Sequence, residues 1–136
     1  MEQDAFLTVL DGVVVLGKQV GRTLGVPTAN IPYRPGQMEL PDGIYVADLV
    51  LLDQGGRVVQ GVLNQGYHPT VPGGLPAVEI HLFDFDEDIY GQRVRVRYLS
   101  FIRPELTFET KEAMLVAIME DIRIAKEWFK ARQGNC

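Results

Sequence analysis

The stretch IYVADLVLLDQGGRVVQGVL, residues 44–63, decides the fold of this chain. It contains two runs of β-branched and aliphatic residues, Ile44–Leu52 and Arg57–Leu63, separated by the turn residues Asp53–Gly56. Residues of these types favour strands, and a short glycine-containing break between two such runs is typical of a β-hairpin. We therefore predict an antiparallel hairpin here.

Other strands are predicted on both sides of this hairpin. Val78–Phe83 alternates, which places Glu79, His81 and Phe83 on the face opposite to the apolar set. After the acidic turn Asp84–Gly91, Arg93–Ile102 alternates apolar residues with arginines, and we expect it to pair with Val78–Phe83 as a second hairpin. Upstream, Phe6–Leu16 is predicted to be one strand with a bulge or bend at Gly12.

An amphipathic helix is predicted to close the chain. Thr110 suits an N-cap, and Gly134 offers a stop. Between them, apolar residues recur at helical spacings of three and four, namely Leu115, Ile118, Ile122, Ala125 and Phe129. Several short strands hide their edges best in a closed antiparallel barrel, so we expect a mainly β fold with the helix outside it or across one mouth.

Composition limits the classes of protein that the chain can represent. At 136 residues it is predicted to form a single domain, residues 1–136, and its net charge of −5 argues against a nucleic-acid partner. Even the longest apolar runs, such as Val13–Leu16, are too short for a membrane helix, and no signal peptide is evident. The single cysteine, Cys136, excludes an internal disulfide. We expect a cytoplasmic monomer.

Two long irregular segments, Gly17–Asp42 and Asn64–Pro76, are rich in glycine and proline. Structureless segments of this length in a small domain are usually functional. The first contains GRTLGVPTAN, Gly21–Asn30, in which Thr28 and Asn30 offer a hydroxyl and an amide oxygen. Such oxygens suit Mg²⁺, and glycine-bracketed N–H groups suit phosphate. On residue chemistry alone, both a metal-nucleotide site and a plain turn remain open.

Glu79 is the candidate catalytic residue. It faces away from the apolar set, so it is either an exposed surface carboxylate or, if a loop covers it, a general base for a substrate hydroxyl. His81 shares its face and is a weaker candidate for the base. The arginine stripe of Arg93–Ile102 and the acidic turn are interpreted as solvated surfaces.

Several segments together resemble riboflavin kinase, in particular the kinase domain of the bacterial FAD-synthesis enzymes. They occur in the family's order and cover nearly the whole chain: GRTLGVPTAN (21–30), LPDGIY (40–45), GVLNQGYHPT (61–70), EIHLFDFDEDIYG (79–91) and IRPE (102–105). Two positions depart from the family pattern. Leu16 replaces a frequent histidine, and Asn64–Val71 reads NQGYHPTV where N-I-G-x-R-P-T-F is usual.

The resemblance implies a six-stranded antiparallel Greek-key β-barrel with a long C-terminal α-helix, here as a stand-alone kinase domain. It implies transfer of the γ-phosphoryl group of ATP to riboflavin, with a divalent metal, most simply Mg²⁺. Glu79 is then the base, Thr28 and Asn30 are metal ligands, and Arg103 and Glu105 contact the flavin. The implied nucleotide-phosphate site comprises Gly17, Gly21, Arg22, Gly25, Pro27, Thr28 and Asn30.

A second hypothesis is a non-catalytic flavin- or nucleotide-binding module derived from the kinase, because the second loop is altered. Retention of Glu79 argues against it, since a binding module does not need a base. An oligonucleotide-binding barrel is disfavoured by the negative charge.

Overall fold

The computed structural model describes residues 6–15, 28–66 and 75–133. These ranges contain the strands β1 (Thr8–Val13), β2 (Ala29–Pro32), β3 (Gly43–Leu51), β4 (Arg57–Gly66), β5 (Ala77–Leu82) and β6 (Arg93–Arg103), and the helix α1 (Lys111–Gln133). The strands form one antiparallel sheet in the order β1-β6-β3-β4-β5-β2. Beyond β1, the Val15 N–H donates to the Asn30 carbonyl at 2.8 Å. This contact brings the two edges of the sheet together, so the predicted barrel with its C-terminal helix is confirmed.

The first predicted hairpin is present. β3 and β4 pair from Ile44 opposite Asn64 to Leu51 opposite Arg57, around a 3-10 turn at Leu52–Gln54. β4 continues to Gly66, so Asn64 lies on the sheet and the prediction that the second loop begins at Asn64 is wrong.

The second predicted hairpin is wrong. β6 pairs with β1 and β3, whereas β5 pairs with β4 and β2. Alternation assigns residues to faces, but it does not choose a strand's partner. The acidic turn therefore crosses one end of the barrel and does not form a tight hairpin loop.

The bulge predicted at Gly12 is also wrong, because β1 pairs with β6 in continuous register from Thr8 to Val13. The glycine serves close packing instead. A Cβ atom at Gly12 would lie 2.7 Å from the Ile31 Cγ2 atom of β2.

A buried polar chain crosses the apolar interior of the barrel. Tyr98 donates to Gln65 Oε1 at 2.7 Å, and Gln65 Nε2 donates to the Leu40 carbonyl at 3.0 Å and to Asp42 Oδ1 at 3.1 Å. Burial raises the pKa of Tyr98, which keeps its hydroxyl a donor. The glutamine that departs from the family pattern thus points into the core and fixes the segment before β3.

The helix packs on the outside of the barrel. Thr110 caps it, as predicted, by accepting a hydrogen bond from the Ala113 N–H at 3.0 Å. Its buried residues contact the outer face of β3, β4 and the end of β5, forming one cluster of Ile44, Val46, Val62, Phe83, Ile122, Ala125 and Phe129. In the described part of the chain, no helix combines the length and apolarity that a bilayer crossing requires.

An ion pair joins α1 to β6. Arg103 donates to both carboxylate oxygens of Asp121, at 2.9 and 2.7 Å, and only 5% of the Asp121 side chain is exposed. Burial raises the pKa of Asp121, and the hydrogen bonds from Arg103 counteract the rise. The pair therefore depends on both partners being present.

The arginine stripe on β6 is neutralised by neighbouring acids, as expected of a solvated strand face. Each arginine is 2.7 Å from a carboxylate: Arg93 from Asp53, Arg95 from Asp11 and Arg97 from Asp48. In the acidic turn, Glu87 pairs with Arg57 at 2.8 Å, and its other carboxylates are exposed.

We expect Gln65→Leu to lower the free energy of unfolding by about 1–3 kcal/mol, because the buried Tyr98 hydroxyl loses its acceptor. Urea unfolding measures this. In the double variant with Tyr98→Phe the loss should be smaller than the sum of the two single losses, since neither group is then left unpaired. Strict additivity would show that the hydrogen bond does not couple the two residues.

We expect Asp121→Ala to lower the free energy of unfolding by about 3 kcal/mol, because it leaves the partly buried Arg103 guanidinium unpaired. Glu120→Ala is the matched control, since the adjacent Glu120 forms an exposed pair with Arg123 at 2.6 Å. That change should cost less than about 1 kcal/mol. Equal losses in the two variants would mean that the Arg103 pair does not anchor the helix.

Candidate active site

Three polar side chains lie side by side on the outer face of the barrel. Glu79 of β5 is directly opposite Asn30 of β2 on one side and Asn64 of β4 on the other. Directly opposed residues of antiparallel strands point to the same face, with Cβ atoms about 4.5–5.5 Å apart. The carboxylate of Glu79 is therefore flanked by two carboxamides. We refer to these three residues as the polar row.

Buried oxygen atoms surround this row. Thr28 Oγ1, Asn30 Oδ1 and Asn64 Oδ1 are buried and, within the residues that the structure describes, have no hydrogen-bond partner. Buried polar groups are nearly always hydrogen-bonded, so such a cluster is typical of a site that a ligand completes. Unpaired oxygens also fit a hard cation.

The donor set limits how a metal ion would be held. Ranges 6–15, 28–66 and 75–133 contain no group of three or more His, Cys, Asp or Glu side chains that could bind one. A Mg²⁺ ion usually combines one or two protein ligands with waters and substrate phosphates. Thr28 and Asn30 would suit that role if waters and phosphate oxygens supplied the other ligands.

Glu79 has the orientation predicted from its strand. Its neighbours Val78 and Ile80 are fully buried in the barrel, whereas Glu79 is half-buried on the outer face. His81 shares that face, but it lies further along β5 beside Phe83, with the two rings 5.7 Å apart and edge to face. This places His81 towards the apolar contact with the helix and leaves Glu79 between the two asparagines.

A cavity of about 310 Å³ opens next to Thr28. It lies between the start of β2, the end of β5 and the acidic turn. Its lining combines apolar side chains with three carboxylates and includes Ala29, Leu82, Phe85, Ile89, Asp86, Glu87 and Asp88. This volume is at the lower end of the range for small-molecule sites. Apolar side chains next to carboxylates suit a flat ring that carries hydrogen-bond donors.

The two predicted flavin contacts have different surroundings. The Arg103 guanidinium is engaged with Asp121, as described above. Glu105 lies on the outer face next to the polar row, because its Oε2 atom is 2.1 Å from where a Cβ atom of Gly66 would be. Its charge is also close to Tyr33, whose pKa is raised to about 12 by burial, by Asp42 and by Glu105.

The structure therefore sets Asn30 of β2 opposite Glu79 of β5, with Thr28 directly before β2. The other predicted phosphate-site residues, namely Gly17, Gly21, Arg22, Gly25 and Pro27, lie outside the described residues. Their role stays a prediction.

The sequence prediction misses Asn64 as a site residue, because the predicted strand ends at Leu63. Residues 64–66 continue β4 without an apolar-polar alternation that would indicate a strand.

Comparison with known proteins identifies the family. The model of the flavokinase family, described as riboflavin kinase, matches residues 6–129, so the chain belongs to the riboflavin kinase family. It is 38% identical over 120 residues to the bifunctional riboflavin kinase/FMN adenylyltransferase of Haemophilus influenzae, covering 88% of this chain and 38% of that protein. It is also 38% identical to the RNA-binding riboflavin kinase RibR of Bacillus subtilis, covering 91% of this chain and 52% of that protein.

A solved riboflavin kinase structure from Trypanosoma brucei has the same fold, with a TM-score of 0.61 at 23% identity over 92% of this chain and 81% of that one. The chain spans between about a third and a half of the length of the curated relatives named above. Family membership thus supports flavin phosphorylation in general terms.

We expect Gly66→Ala to fold and to displace the Glu105 carboxylate, because the added methyl group meets only the flexible end of that side chain. Gly61→Ala is the matched control, since its Cβ would lie 2.4 Å from the His81 backbone carbonyl. It should cost about 1–3 kcal/mol or more, as an overpacked core does. Thermal unfolding of both variants checks this, and a larger loss for Gly66→Ala would contradict it.

Proposed function

We propose that this chain transfers the γ-phosphoryl group of ATP to the ribityl 5′-hydroxyl of riboflavin, giving FMN and ADP. The observation that carries the proposal is the polar row, in which Glu79 lies directly beside the unpaired oxygen of Asn30. Membership of the riboflavin kinase family supplies the substrate class.

Phosphoryl transfer requires a base for the attacking hydroxyl and groups that hold the metal-nucleotide, and different residues supply these two functions. Glu79 accepts the proton of the 5′-hydroxyl as that oxygen attacks the γ-phosphorus and the bond to the β-phosphate oxygen breaks. Thr28 and Asn30 hold the metal-nucleotide on the β2 side of Glu79. A bound Mg²⁺ supplies charge neutralisation for the phosphate oxygens. The glycine-rich residues before Thr28 cover the phosphates in this proposal.

Positions of the two substrates follow from this division. The cavity beside Thr28 suits the adenine ring, since apolar side chains line it beside carboxylates that can accept hydrogen bonds from an amino group. The flavin then approaches from the opposite side of Glu79, where Glu105 lies against Gly66. The reacting atoms meet over the polar row.

The proposal treats small molecules as the partners. Three further points stay predictions from the sequence: that the chain is a monomer, that it acts in the cytoplasm and that it binds no nucleic acid. The net charge of −5 and the paired arginines of β6 favour the absence of a nucleic-acid surface, although one relative is an RNA-binding kinase.

We expect the chain to form FMN from riboflavin, ATP and Mg²⁺, and Glu79→Gln to reduce kcat at least about 100-fold, the upper part of the range for a general base. Glu109→Gln, a change at an exposed carboxylate before the helix, is the matched control and should retain full activity. Chromatography of the flavins measures all three rates.

Two outcomes would contradict parts of this proposal. Riboflavin binding without FMN formation, with Mg²⁺, Mn²⁺ and Zn²⁺ each tried, would favour the non-catalytic module. Equal rates for the wild type and Glu79→Gln would exclude Glu79 as the base.

A further inference from the structure

Asn64 is the one member of the polar row that the proposed chemistry does not use. It directly opposes Glu79 from β4, and its Oδ1 atom is buried without a hydrogen-bond partner in the described part of the chain. A buried carbonyl oxygen without a donor is unfavourable, because it has lost its hydrogen bonds to water. The structure retains such an oxygen next to the proposed base, which indicates that a ligand supplies the missing donor.

A metal ion shared with Asn30 is a poor candidate for that partner. β5 separates the two asparagines, and two inter-strand spacings place their backbones about 9–10 Å apart. The outer face of a barrel is convex, so the side chains diverge further. A Mg²⁺ ion holds its ligands at about 2.1 Å, which is too short to span this gap.

The substrate chain is the better candidate. Along the outer face, the order from β2 is Thr28 and Asn30, then Glu79, then Asn64, with Glu105 over Gly66 two residues further along β4. The reactants have the same order: phosphoryl group, reacting hydroxyl, polyol chain and flavin ring. Asn64 therefore lies where the polyol chain leaves the reacting carbon.

We propose that Asn64 Oδ1 accepts a hydrogen bond from the 4′-hydroxyl of riboflavin, the hydroxyl next to the one that reacts, and so aims the 5′-hydroxyl at Glu79. This inference rests on the proposed function. It makes Asn64 a specificity-determining contact, because a site built to bond a hydroxyl discriminates against a substrate that lacks it.

The test combines variants of the protein with variants of the substrate. The wild type should use 4′-deoxyriboflavin with a kcat/KM about 10- to 100-fold below that of riboflavin. In Asn64→Ala, kcat/KM for riboflavin should fall by a similar factor. Removal of the 4′-hydroxyl should then change kcat/KM of this variant by less than about 3-fold. The 2′-hydroxyl, which is further from the reacting carbon, serves as the control. The change in kcat/KM on its removal, measured with 2′-deoxyriboflavin, should be the same in the wild type and in Asn64→Ala.

Gln60→Ala is the matched protein control. Gln60 lies on the same face of β4, opposite Asp48 and away from Glu79. The penalty for 4′-deoxyriboflavin should persist in this variant. Asn64→Ser, which keeps a smaller oxygen acceptor, should retain part of the penalty and covers the case in which the alanine variant does not fold.

Binding separates this inference from the proposed function. Dissociation constants of the two flavins, measured without ATP by quenching of flavin fluorescence, should show the same loss of discrimination in Asn64→Ala. If the wild type binds with that discrimination but forms no FMN, the proposed function fails and the hydroxyl contact stands. The inference would be overturned if removal of the 4′-hydroxyl lowered kcat/KM as much in both Asn64 variants as in the wild type. It would also be overturned if the variants needed more Mg²⁺ while that loss of kcat/KM stayed the same.

Discussion

The pairing of β2 with β5 is the contact on which the whole site depends. β2 has only four residues, Ala29–Pro32, yet it sets Asn30 against Glu79 and closes the barrel through the hydrogen bond from Val15. Ile31 is fully buried between these strands, and Gly12 leaves room for it. Since side chains alternate across a strand, a slip of one residue would turn Asn30 inward and Ile31 outward. The burial of Ile31 therefore fixes the position of Asn30.

The barrel separates stability from chemistry by using its two faces differently. In the described residues the interior is mainly apolar, and the chain from Tyr98 through Gln65 to Asp42 that crosses it is hydrogen-bonded. The outer face carries the helix, the paired arginines of β6 and the polar row, where oxygen atoms of Asn30 and Asn64 stay unpaired among the described residues. Unsatisfied groups thus collect where a substrate can complete them.

The proposed flavin side of the site is joined to the helix by an ion pair. Arg103 and Glu105 are two residues apart after β6, but the arginine pairs with Asp121 of α1 whereas Glu105 extends over Gly66. Any role of Arg103 towards a flavin is therefore combined with a structural one. The helix, the end of β6 and the polar row form a connected region, so a change in the ion pair is expected to reach the site through Glu105.

Much of the molecule follows from the sequence by itself. Periodicity and residue type predicted the strands other than β2, the inward set of Val78, Ile80 and Leu82, the outward position of Glu79 and the helix after Thr110, because these are local properties of the backbone. β2 lies within the segment expected to be irregular, since four residues are too few to show a period. The β3–β4 hairpin also followed from the sequence, but the other strand partners came only from the tertiary structure, in which β5 pairs with β4 and β2 and not with β6. Pairing depends on which edges meet when the barrel closes, and that involves residues about fifty positions apart, such as Asn30 and Glu79. The sequence therefore supplied the chemical groups of the site, whereas barrel closure decided which of them became neighbours.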